Sequence, residues 1–157
     1  MVENLLTGAI REFVAETLKE MVLPNELNGE RGVHVFNGYL PHKEPAKVSD
    51  DLFPFVVVRA DEGESDEDGT LVTVSIIIGV YSEADDGHEF AFNIMSRIRT
   101  ALTSLPGLVL QGRYQLRYPI KWETFSEQPY PQWQIDMQTQ WLIRTPRPVP
   151  DPFEEEI

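Results

Sequence analysis

The chain has 157 residues, no cysteine, and a formal net charge of −13 from 26 acidic and 13 basic residues. This length favours one domain, the lack of cysteine excludes disulfides and thiolate chemistry, and the negative charge disfavours nucleic acid and anionic membranes as partners. No segment resembles a signal peptide or approaches the ~20 apolar residues that span a bilayer, so we expect a soluble protein made and used inside a cell.

The N-terminal third predicts one helix followed by an irregular connection. Apolar residues recur at helical spacing over about residues 2–22 and stop before Pro24, which predicts an amphipathic helix. Residues 23–52 are rich in glycine and proline. They predict a long loop, with a short strand near residues 33–36.

The middle of the chain predicts a hairpin with an acidic connection. Residues 53–59 and 71–81 are rich in valine and isoleucine and predict two buried strands. The acidic run between them ends in Asp68-Gly69, which favours a turn with positive φ. The run also partly matches a calcium loop, but Ser75 stands where that loop has a bidentate glutamate. We therefore favour the hairpin connection over a cation site.

A second amphipathic helix is predicted between Asp85-Asp86-Gly87 and Pro106-Gly107. Its His88-Glu89 pair begins like the HExxH motif of zinc proteases, but the position of the second histidine is Phe92. No nucleophile elbow, catalytic triad or phosphate-binding loop is recognisable. The sequence therefore predicts a protein that is not an enzyme and that uses no metal or cofactor.

The most regular pattern of the chain lies between residues 113 and 141. Apolar and polar side chains alternate up to Glu123, and the alternation resumes after a turn at residues 128–131. Strict period two predicts two long strands, each with one buried face. The predicted buried faces consist of Tyr114, Leu116, Tyr118, Ile120, Trp122, Trp133, Ile135, Met137 and Trp141.

These elements predict a single α+β domain over residues 1–145 and a mobile tail, rich in proline and glutamate, over residues 146–157. Short turns between successive strands favour antiparallel pairing. The expected architecture is two-layer, with a mostly antiparallel four- or five-stranded sheet and two helices packed on one face.

Several segments between about residues 50 and 145 together resemble one known family. They are residues 53–59, the acidic connection ending Asp66-Glu67-Asp68-Gly69, and residues 74–87, 94–105 and 122–133. In these features the chain resembles the tail terminator proteins of long-tailed bacteriophages, also called tail-completion or minor tail proteins. The resemblance implies a structural protein of the virion tail, assembled in the host cytoplasm, that forms a ring, commonly of six subunits, at the head-proximal end of the tail tube.

The resemblance also implies partners, and it leaves alternatives open. The implied partners are further copies of the chain, the major tail tube protein and the head connector protein, and no catalytic residues are implied. A neighbouring component of the head–tail connector would have much the same sequence features. An acidic module that binds a basic host protein is another alternative.

Ring assembly requires that one patch of a subunit meets a different patch of the next subunit. We expect an acidic hairpin and a basic strand row to provide such patches, because complementary charge sets the register of a contact. An exposed aromatic residue at a turn, Tyr130, would anchor a protein contact, and residues 29–47 would contribute a loop. The other expected contact residues are Glu62, Glu64, Asp66, Glu67 and Asp68 of the hairpin, Gln132, Gln134, Asp136, Gln138 and Gln140 of a polar row, and Arg113, Arg117 and Lys121 of the basic row.

Overall fold

The computed structural model describes residues 2–25, 29–41, 52–124 and 127–144. A short 3-10 turn, Pro106–Leu108, follows the second helix. The predicted tail at residues 146–157 and part of the predicted loop, residues 42–47, lie outside the described residues. The elements are α1 (Val2–Leu18), β1 (Val22–Asn25), β2 (Gly29–Gly32), β3 (His34–Asn37), β4 (Phe55–Ser65), β5 (Gly69–Tyr81), α2 (His88–Thr103), β6 (Val109–Leu110), β7 (Tyr114–Thr124) and β8 (Gln132–Arg144).

Six of the strands form one mixed sheet in the order β3-β4-β5-β8-β7-β6. The α+β class is confirmed, but the prediction of four or five strands was too low. One edge also departs from antiparallel pairing, because β3 runs parallel to β4. A parallel pair needs a crossover of about a dozen residues or more, and the chain between Asn37 and Phe55 is long enough to provide one.

A second correction concerns the segment predicted as an irregular loop. It contains β1 and β2, which pair with each other in an antiparallel ribbon separate from the main sheet. The short strand predicted near residues 33–36 is present as β3. Strands this short carry too few residues for a period-two pattern, so their pairing could not be read from alternation.

Both helices pack on the same face of the main sheet, as predicted. α1 contacts β3 and β4, α2 contacts β5 and β8, and the helices contact each other. Spacing of three or four residues gives each helix one apolar stripe, which is buried against the valine and isoleucine side chains of the sheet. The stripes consist of Leu6, Ile10, Val14 and Leu18 in α1 and of Ala91, Ile94, Met95, Ile98 and Leu102 in α2.

The opposite face of the sheet, which we call the outer face, carries a second and smaller apolar cluster. Phe53, Phe55, Val57 and Tyr81 are buried there, with Ile77 packed against them. This cluster accounts for the apolar residues on both faces of β5, which pairs with β4 on one side and β8 on the other. β5 is therefore a central strand with both faces covered, in agreement with the buried strand predicted there.

The buried face predicted for β7 exists only in its first half. Tyr114 and Leu116 are 1% exposed, whereas Tyr118 is 62% and Trp122 is 47% exposed. The register against β8 shifts after Arg117, so that residues 118–120 share the space opposite one residue of β8. The alternation of apolar and polar residues continues unchanged through this bulge, so the sequence does not reveal it. The helices pack chiefly on strands other than β7, which alternation within β7 also does not reveal.

Candidate interaction surfaces

The acidic contact residues predicted from the sequence lie at the hairpin of β4 and β5. The carboxylate of Asp66 accepts hydrogen bonds from the amides of Asp68 and Gly69, at 2.8 and 3.2 Å. Gly69 has a φ of 155°, and a Cβ on it would lie 2.3 Å from the carbonyl oxygen of Ile143. The predicted hairpin is thus present, and the Asp66 carboxylate closes its turn.

The second half of β4, from residue 59 to residue 65, forms one lateral edge of the sheet. β3 pairs only with residues 55–58, and no described strand lies beside β4 after that point. Side chains 61–68 are exposed. Glu62 and Glu64 oppose Thr73 and Leu71 of β5, which places both glutamates on the outer face because paired residues share a face.

A β-bulge interrupts this acidic edge at Asp61, where the register between β4 and β5 shifts. The Asp61 carboxylate accepts hydrogen bonds from the hydroxyl of Ser75 and, at 3.1 Å, from Nε of Arg59. The positive charge of Arg59 is therefore paired within the subunit. Glu62 and Glu64 therefore carry most of the negative charge along this edge that is available to contact another molecule.

The predicted polar row and most of the basic row lie together on the outer face. Arg117 opposes Gln140 of β8, and Lys121 opposes Gln138. Arg113 precedes β7, and its guanidinium lies 5.4 Å from the centroid of the following tyrosine ring. Pairing with β5 places the whole polar row on this face, namely Gln132, Gln134, Asp136, Gln138 and Gln140.

β7 forms the other lateral edge of the sheet. β6 pairs only with Tyr114 and Gln115, and no described strand lies beside the rest of β7. Arg117 and Lys121 are exposed along this edge, while Glu123 near its end opposes a carboxylate of β8. The sheet therefore has an acidic edge at β4 and a mainly basic edge at β7.

Tyr130, the predicted anchor at the turn before β8, is 58% exposed. Its hydroxyl donates a hydrogen bond of 2.6 Å to the carbonyl oxygen of Glu83, and its ring meets that of Trp133 edge-on with centroids 6.1 Å apart. Trp133 in turn donates from Nε1 to the carbonyl oxygen of Ser82, at 2.9 Å. Tyr130 is thus held in place by the protein itself while half of its surface faces solvent.

A cavity of about 170 Å³ lies beside this cluster, between the start of α2 and the start of β8. The ring of His88 lies 5.7 Å from that of Trp133, and Phe92 meets Trp122 edge-on at 5.3 Å. Sequence reasoning missed this grouping because its members lie on three different elements. Gly87 permits the close approach of these elements, since a Cβ there would lie 2.5 Å from Nε1 of Trp133.

Within residues 2–25, 29–41, 52–124 and 127–144, no group of three or more histidine, aspartate or glutamate side chains is arranged to hold a metal ion. None of the helices described there is both long and apolar enough to cross a membrane.

Similarity to known proteins is found among solved structures. No protein-family model and no curated protein matches the chain. A solved structure described as that of the bacteriophage SPP1 gp17 protein is 16% identical, covers 90% of this chain and 93% of its own, and has a TM-score of 0.47. A chain from the virion of a native gene transfer agent particle is also 16% identical, covers 88% and 96%, and has a TM-score of 0.43. At such low TM-scores, neither similarity carries an argument about fold or function.

Proposed function

We propose that this chain is a structural protein of a tailed-bacteriophage virion, and specifically a tail terminator that caps the tail tube as a ring. The resemblance of residues 50–145 to that family supports the proposal. The observation that carries it is the difference between the two lateral edges of the sheet, one acidic and one mainly basic.

Unlike edges favour head-to-tail assembly over two-fold pairing. In a two-fold dimer each edge meets its own copy, so that Glu62 and Glu64 would face like charges. In a ring each acidic edge meets the basic edge of the next subunit, near Arg117 and Lys121. The charge distribution therefore disfavours symmetric edge-to-edge dimers and favours the repeated contact from which a ring is built.

The proposed partners follow from the position of such a ring. One rim would bind the major tail tube protein and stop its growth, and the other rim would bind the head connector protein. The net charge of −13 suits a channel through which DNA slides, since a negative lining repels the phosphate backbone and does not hold it.

Electron microscopy of the purified protein mixed with its tube protein tests this function. We expect a ring at one end of each tube and tubes that stop growing once they are capped. The control is the tube protein alone, which should grow to variable lengths. Tubes that stay uncapped and grow equally long with the protein present would contradict the proposal. Binding to the head connector but not to tubes would favour the connector alternative.

A further inference from the structure

We infer that the β4 edge of one subunit lies beside the β7 edge of the next copy, with Glu62 facing Arg117 across the joint. The inference rests on the proposed ring and deepens it, because it names the contact between subunits and its register. It is carried by the way in which the strand pairings connect the two edges.

One continuous row of paired residues crosses the sheet from Glu62 to Arg117. Glu62 opposes Thr73, Thr73 opposes Gln140, and Gln140 opposes Arg117. All members of the row point to the outer face, because paired neighbours share a face. A row that begins with a carboxylate at one edge therefore ends with a guanidinium at the other.

The adjacent row toward the hairpin turn ends in an uncharged residue on the β7 side of the sheet. Glu64 opposes Leu71, which opposes Leu142, which opposes Gln115. Val109 of β6 pairs with Gln115 and forms the end of this row. A carboxylate at the acidic edge would thus meet the apolar side chain of Val109 and no negative charge.

The next row away from the hairpin turn has a cation at both ends. Arg59 opposes Ser75, Ser75 opposes Gln138, and Gln138 opposes Lys121. Asp61 removes most of this conflict because its carboxylate pairs with Arg59 inside the subunit. In a copy-to-copy contact, Lys121 would meet this ion pair and not a single positive charge. None of the three rows therefore brings two unpaired like charges together.

Strand directions allow these rows to meet without a shift. β4, β5, β8 and β7 are antiparallel in succession, so β4 and β7 run in opposite senses. A second copy in the same orientation places its β7 antiparallel to β4 of the first copy. The row of Glu62 then points at the row of Arg117 in the neighbour across a gap one strand wide, whose two ends are filled by β3 of one copy and β6 of the next.

The contact is made by side chains and not by a shared hydrogen-bond ladder. Both edges carry a bulge, at Asp61 in β4 and at residues 118–120 in β7, and Pro119 has no N–H to donate. Bulges, prolines and charged residues are the features that keep sheet edges from pairing. Salt should weaken such an exposed charged contact strongly.

Cysteine crosslinking tests the register, since the natural chain contains no cysteine. Glu64→Cys and Val109→Cys are introduced together at the two ends of one row, and Glu62 and Arg117 are kept. The two thiols of one subunit lie four strand spacings apart, about 19 Å, which is too far for a short bismaleimide. The protein is crosslinked in low salt and at a concentration well above the micromolar range, where weak contacts between copies form. We therefore expect a ladder of linked subunits in denaturing electrophoresis.

Matched variants decide between this register and chance encounters. Replacing Glu64→Cys by Glu12→Cys, on the exposed side of α1, should abolish the ladder. Arg117→Glu added to the original pair should lower the crosslinking rate about fivefold, and further addition of Glu62→Arg should restore it. Equal ladders from both cysteine pairs, or a charge swap that restores nothing, would refute the inference, as would efficient dimers from Glu64→Cys alone.

The outcome also separates this inference from the proposed function. Capped tubes without the ladder would keep the terminator function and refute this edge contact. A ladder whose subunits never cap tubes would keep the contact and refute the function.

Discussion

A buried hydrogen-bond chain between β8 and β5 gives the sharpest test of how the sheet is stabilised. Thr139 and Trp141 are both 0% exposed. The Thr139 hydroxyl donates to the carbonyl oxygen of Val74 at 3.0 Å and accepts from Nε1 of Trp141 at 2.8 Å. Thr139→Val keeps the shape of the side chain and replaces this hydroxyl by a methyl group.

The expected effect has two opposing contributions. The indole N–H of Trp141 would stay buried without its partner, which costs about 1–3 kcal/mol, while the added methyl gains roughly 0.8 kcal/mol from burial. We therefore expect Thr139→Val to lower the free energy of unfolding by about 1–2 kcal/mol. Thr73→Val, the same chemical change at a partly exposed site of β5, should stay within ~0.5 kcal/mol of the natural chain.

Urea unfolding followed by circular dichroism measures these values. A double-mutant cycle with Trp141→Phe isolates the hydrogen bond, because phenylalanine has no N–H to leave without a partner. Trp141→Phe should cost about 1 kcal/mol less in the Thr139→Val background than in the natural chain. Strict additivity, or a Thr139→Val variant as stable as the natural chain, would refute the reasoning.

Two glycines should tolerate no side chain, and a third serves as their control. Gly79→Ala should destabilise the protein by about 1–3 kcal/mol, since its Cβ would lie 2.3 Å from the ring of Phe55. Gly69→Ala should cost a similar ~1–3 kcal/mol, because both its φ of 155° and the nearby carbonyl of Ile143 oppose a Cβ. Gly8→Ala should instead stabilise by about 0.5–1 kcal/mol, since Gly8 lies inside α1 with nothing within 4 Å. Chemical unfolding midpoints check all three, and equal effects at the three sites would contradict this account.

Local periodicity was enough to find most of the elements. The helix predicted over residues 2–22 is Val2–Leu18, and the strand predicted over residues 71–81 is Gly69–Tyr81. Such patterns are reliable because an amphipathic helix or strand must place its apolar residues on the side that faces the core. Asp68-Gly69 also marked the hairpin turn correctly, since the hydrogen bonds that close this turn join residues three positions apart or fewer.

Long-range pairing was not predictable in the same way. The parallel pairing of β3 with β4 depends on a crossover connection. The exposure of Tyr118 and Trp122 depends on which strands the helices cover. The cavity beside His88 and Trp133 depends on contact between α2 and β8. None of these features leaves a periodic pattern in the sequence around it.

The candidate interaction surfaces could be predicted only in part from the sequence. Sequence reasoning selected an acidic group that includes Glu62 and a basic group that includes Arg117, because charge is visible in sequence. It could not show that both residues end the same cross-sheet row, since that follows only from three successive strand pairings. That these residues contact a neighbouring subunit is still a prediction.

The strength of the proposed contact implies that the ring depends on a template. Exposed ion pairs contribute about 0.2–1 kcal/mol each, whereas association costs about 4–15 kcal/mol in lost freedom of motion. A few side-chain rows without a shared ladder cannot meet that cost, so the isolated protein should be monomeric at micromolar concentration. A tube end that binds several copies side by side would raise their effective concentration and allow the ring to close. Light scattering of the isolated protein checks this prediction, and a stable ring that forms without the tube and persists in high salt would show that a stronger interface exists elsewhere.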